Sequence, residues 1–78
     1  MADVKSELNQ IFRTTFKNDA LLITEEMTAK DVEGWDSLAH AALITAIEDH
    51  FQIKFKLKEL TKMKNVGIII NLIQEKLR

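Results

Sequence analysis

The spacing of the apolar residues limits this fold more than anything else: it keeps a helical period through three stretches that no proline interrupts. Val4, Leu8, Ile11, Phe12 and Phe16 line one face of a helix over 3–16, with Asp3 placed to cap it. Lys5, Glu7, Asn9, Gln10 and Arg13 fall mostly on the other face. Leu43, Ile44, Ile47 and Phe51 form a second stripe, extended backwards by Ala41, in a helix over 36–51 that Asp36 caps. A third helix, 65–78, opens at Asn65 and aligns Val66, Ile69, Ile70, Ile73 and Leu77, with Ile68 and Leu72 widening the face. Lys76 and Arg78 stand near its C-terminus, where the helix dipole favours cations. Between the last two helices, Phe51, Ile53, Phe55 and Leu57 alternate with Gln52, Lys54 and Lys56. A lone strand has nothing to pair with, so this stretch is expected to be an extended link followed by one helical turn near Leu57–Thr61. The expectation is an all-α fold over 1–78: a single domain, built as a small antiparallel bundle of three long helices and a short one.

The connection from 17 to 35 is long for so small a bundle, and connections of that kind are often functional. Lys17-Asn18-Asp19 breaks the first helix, and Thr24-Glu25-Glu26-Met27 reads as a local turn. Leu21, Leu22, Ile23, Met27 and Val32 are expected to pin the loop along the outside of that helix.

Composition removes several classes. The 78 residues include no cysteine, which excludes disulfides and thiolate metal sites. No segment approaches the length of a membrane span, and no signal-peptide pattern is present, so a cytoplasmic location is expected. The net charge is −1, yet residues 25–49 hold seven acids against one lysine (−6) and residues 50–78 seven bases against two acids (+5). Such a division bears on the choice of partner more than on fold.

Chemistry concentrates at Gly34-Trp35-Asp36-Ser37-Leu38. With Asp36 as cap, Ser37 becomes the first residue inside the helix, close to unsatisfied N–H groups and the positive end of the dipole. A phosphate attached there would be stabilised. Asp36 would cap the helix or help to hold a divalent cation during transfer of such a group. Taken alone, an Asp-Ser pair is an ordinary helix start. Trp35 would pack near His40 as a hydrophobic staple, shield the serine, or touch a partner. His40 and His50 are about 280° apart around the helix, so a shared metal site is not expected. Gly34-Trp35-Asp36-Ser37 is not a nucleophile elbow, and neither histidine is placed as a base with an orienting acid. The lysines from Lys54 to Lys64 raise an alternative, a helical nucleic-acid-binding or protein-interaction module. Against nucleic acid stand the slightly negative net charge, the presence of only Arg13 and Arg78 as arginines, and the lack of a basic recognition helix.

Gly34–Leu38, with the long loop before it and the helix to Phe51 after it, resembles the acyl carrier protein family. Ile53-Lys54-Phe55, Leu57-Lys58-Glu59-Leu60 and Asn65-Val66-Gly67 fit the same pattern, so the resemblance covers nearly the whole chain. It implies a non-catalytic carrier of an acyl or aminoacyl thioester on 4′-phosphopantetheine, attached to Ser37 by a phosphopantetheinyl transferase, with Asp36 assisting loading. The arm would supply the thiol that the chain lacks. Acyl-loading and acyl-using enzymes would dock on Trp35, Leu38, Ala41, Ala42, Thr45 and Glu48 of a monomeric carrier, with no nucleic-acid partner. Fatty-acid carriers are strongly acidic along this helix, whereas here Ala39, Ala41, Ala42 and Thr45 occupy its early surface. The Trp-Asp-Ser-Leu form with His40 looks more like the discrete carriers of specialised pathways, such as secondary metabolism or surface polysaccharides.

Overall fold

Four helices make up the computed structural model, which describes residues 3–77: α1 Val4–Phe16, α2 Ser37–Phe51, α3 Leu57–Leu60 and α4 Val66–Lys76. No strand occurs among the described residues. Leu8 and Phe12 of α1, Leu43 and Ile47 of α2, and Val66, Ile69 and Ile73 of α4 meet in one apolar core, fully shielded from water. Truncating such a side chain, Phe12→Ala for instance, typically costs about 3–5 kcal/mol.

Contacts at the helix ends fix the directions. Glu7, early in α1, meets His50, late in α2, at 2.9 Å, while Phe16 at the end of α1 packs on Trp35 just before α2. These two helices are therefore antiparallel. α4 runs the same way as α2: Lys64, ahead of α4, shares a cleft with Ser37, and Lys76, at its end, lies over Phe55. The N–H of Phe55 is in turn bound by Glu48, late in α2 (2.8 Å).

The long loop is stitched down by polar groups as well as by apolar ones. Asn9, expected on the solvent face of α1, is only 8% exposed. Its Oδ1 accepts from the Ile23 N–H at 2.7 Å and its Nδ2 donates to the Leu21 carbonyl at 3.2 Å, a carbonyl that also takes Arg13 Nε at 2.7 Å. These bonds hold the chain extended, so Leu21 and Ile23 turn inward and Leu22, expected to help pin the loop, is 68% exposed. The turn at Thr24–Met27 forms, closed by the Met27 N–H on the Thr24 carbonyl (3.2 Å).

Other expectations also shift. Asp3 precedes α1 but makes no side-chain cap; only its carbonyl takes part, accepting from the Glu7 N–H. Ala41 lies on the exposed side of α2, and Ala46 packs against the core instead. Leu77 is half exposed beyond the end of α4, because that helix closes at Lys76; Arg78 lies outside the described residues. Residues 53–56 form the expected extended link, with Ile53 buried and Lys54 and Lys56 outside. Leu57 leaves that alternation, opening α3 with 79% of its surface exposed. Glu59 fastens α3, its carboxylate accepting from the Lys56 N–H at 2.7 Å and pairing with Lys76 at 2.8 Å. Those two partners hold its carboxyl below the ordinary carboxylate range.

Candidate functional site

The start of α2 is built by a glycine. Gly34 takes φ +88, a region that favours glycine, although a Cβ there would meet nothing closer than 3.9 Å. The requirement is therefore conformational, not one of space. The turn sends Trp35 inward and leaves Asp36 and Ser37 outside.

Trp35 is 8% exposed. Its ring stands edge-on to Phe12 at 5.3 Å and tilted to Phe16 at 6.1 Å, and it stacks on His40 at 5.9 Å. The staple expected from sequence thus forms, with a hydrogen bond added: indole Nε1–H donates to His40 Nδ1 at 3.0 Å. An indole N–H can only donate, so Nδ1 must be unprotonated and a neutral His40 carries its proton on Nε2. Burial pushes the imidazole below its ordinary pKa, favouring that neutral form. His50, by contrast, is exposed and joins α2 to Glu7 of α1.

Asp36 caps α2 through Oδ1, which accepts from the Ala39 N–H at 2.8 Å, while its carbonyl takes the His40 N–H at 2.8 Å. The two remaining N–H groups of the first turn belong to Ser37 and Leu38. Neither has a hydrogen-bond partner among the described residues, and both residues are exposed. Beside Ser37 opens a cleft of about 440 Å³, bounded by Ala29 of the loop, Trp35 and His40, and Met63 and Lys64 ahead of α4. The arrangement presents a hydroxyl to solvent at the positive end of a helix, with room alongside for an extended substituent.

Trp35, Asp36, Ser37 and His40 are thus gathered in one place. Leu38 (83% exposed), Ala41, Ala42 and Thr45 follow as a strip along the outer surface of α2. Thr45 Oγ1 is turned back onto the Ala41 carbonyl at 3.1 Å, which leaves its methyl as the outward feature. Glu48 stands apart. It is half-buried and engaged with the Phe55 N–H, so it serves the loop after α2 instead of standing free on the surface. Met63 and Lys64 were not foreseen at the site. They line the cleft beside Ser37 because the link after α2 folds back along that helix, and no local pattern announces that path.

No family model matches the chain. Among solved structures it is similar to the holo acyl carrier protein of Geobacter metallireducens, determined in solution by NMR, with 44% identity. The match covers 95% of this chain and 85% of that one, with a TM-score of 0.90. Fold and site together define a helical bundle that presents a serine at the open start of its second helix. The chain belongs to the acyl carrier protein family.

Proposed function

We propose that the chain carries an acyl or aminoacyl group as a thioester on 4′-phosphopantetheine attached to Ser37, and presents it to partner enzymes. One observation carries this reading: the exposed Ser37 hydroxyl stands at a helix start whose first two N–H groups are unclaimed, beside a cleft. The residues present fit the group. The N–H groups of Ser37 and Leu38 are available to a phosphodiester oxygen, and the cleft adjoins the attachment point. When bound, the group supplies the thiol that this cysteine-free chain lacks.

In loading, a phosphopantetheinyl transferase joins the Ser37 hydroxyl oxygen to the phosphorus that carries pantetheine in coenzyme A. Adenosine 3′,5′-bisphosphate leaves, and the hydroxyl proton passes to a base of the transferase. Asp36 fixes the helix start through its cap and adds a carboxylate for the transferase's cation. The carrier itself catalyses nothing. Leu38, Ala41, Ala42 and Thr45 form the strip on which the transferase and the acyl-loading and acyl-using enzymes dock, with Trp35 holding the site from beneath. The absence of carboxylates from that strip supports service to a specialised biosynthetic pathway.

The test is intact mass after incubation with coenzyme A, magnesium and a broad-specificity transferase. The expected gain is one phosphopantetheine, lost entirely in Ser37→Ala. No gain with several such transferases would overturn the reading.

A further inference from the structure

The cleft beside Ser37 carries an uneven set of charges. Asp36 contributes a carboxylate already engaged as a cap. His40 contributes a ring whose Nδ1 is taken by Trp35 and whose protonation burial disfavours. The cation on its lining is Lys64. Lys76 is paired with Glu59, but Lys64 makes no ion pair among the described residues.

The backbone beneath Lys64 is held on both sides. Met63 is buried in the core, and the Lys64 N–H closes onto the Lys62 carbonyl at 2.9 Å. Asn65, the next residue, caps α4 by accepting from the Ile68 N–H at 2.9 Å, and Val66 is tied to the Met27 carbonyl at 2.9 Å. The exposed Lys64 side chain therefore stands on a fixed base at the rim of the cleft that adjoins the serine. Nothing in the core requires a cation at this point.

Resting on the carrier reading, we infer that Lys64 pairs with the phosphodiester that joins the arm to Ser37, and so draws the root of the arm toward the cleft. The arm's one fixed negative charge is that phosphate, and an ammonium–phosphate contact is charge-assisted. Lys54, Lys56, Lys58 and Lys62 are exposed as well but do not line this cleft. Because the pair sits at the surface, added salt should weaken it.

The test follows ¹³C- and ¹⁵N-labelled full-length protein by NMR while coenzyme A and a transferase convert it to the loaded form, with intact mass read in parallel. On loading, the side-chain signals of Lys64 should move more than those of Lys54, Lys56, Lys58 and Lys62, and salt should reverse part of that movement. The ³¹P resonance of the loaded protein should shift in Lys64→Gln and return toward the wild-type position in Lys64→Arg, while Lys54→Gln leaves it unchanged. A full gain in mass with Lys64 unmoved, or with the same ³¹P position in Lys64→Gln, overturns the pairing and leaves the carrier reading standing. No gain in mass removes both.

Discussion

α2 and α4 begin alike and are used differently. Each is opened by a polar cap, Asp36 on the Ala39 N–H and Asn65 on the Ile68 N–H. In α4 the two N–H groups left over are consumed by the chain itself: Val66 donates to the Met27 carbonyl and Gly67 to the Glu25 carbonyl, both at 2.9 Å. In α2 the corresponding groups, on Ser37 and Leu38, are left to solvent. A helix start of this kind is an anion site by construction, and the fold closes one of the pair with its own loop. What sets the α2 start apart is therefore not its cap but the missing lid. Amide exchange reads that difference directly: Val66 and Gly67 should be protected, and Ser37 and Leu38 should exchange quickly.

Among changes at the two helix starts, Gly67→Ala attacks the closed one and should have the largest effect on stability. A Cβ there would meet the Glu25 carbonyl at 3.1 Å and Asn65 Oδ1 at 3.3 Å, so the loop carbonyl held on α4 must give by a few tenths of an ångström. The expected loss is about 1–3 kcal/mol in denaturant unfolding, with little change in loading of Ser37. An unchanged midpoint would mean that the loop is not held against α4.

Matched removal of the caps sharpens the comparison. Asn65→Ala and Asp36→Ala should each cost roughly 1 kcal/mol. Only Asp36→Ala should also slow transfer of phosphopantetheine. Equal loading rates in the two variants would remove the role given to Asp36 beyond capping.

A smaller effect concerns pH. Burial keeps the folded-state pKa of His40 below its ordinary value of 6.5, so the unfolded chain takes up a proton first as the solution is acidified. This contribution to stability is complete above about pH 6.5 and is lost as pH falls through the lower folded value. Thermal melts should show that decline in the wild type and a shallower one in His40→Gln. Parallel pH profiles would contradict the burial of a neutral His40 ring in the fold. The smallest change is expected for Ser37→Ala, an exposed position where stability should stay within about 0.5 kcal/mol of wild type.

The helices, both side-chain caps and the place of Ser37 at the start of α2 were legible in the sequence because each has a local signature: a 3.6-residue period, or a polar residue at its edge. The staple of Trp35 on His40 was legible for the same reason, the two being five residues apart. What escaped depends on the course of the chain between helices. Asn9 reads as a surface residue until the loop passes over α1 and brings it the Ile23 N–H, fourteen positions away. Gly67 reads as a poor choice at the opening of a helix until the Glu25 carbonyl arrives where its side chain would be. Glu48 and Lys64 have surroundings that no local pattern shows, because the link after α2 runs back along that helix. One residue was drawn into holding the link and the other was brought to the rim of the cleft beside the serine.

The claim that the open helix start is the working one can be tested at a single residue. The chain has two serines, Ser6 and Ser37. Fragmentation of the loaded protein by mass spectrometry should place the whole phosphopantetheine on the peptide containing Ser37 and none on that containing Ser6. Modification of Ser6 or of a threonine, with Ser37 unmodified, would contradict the account.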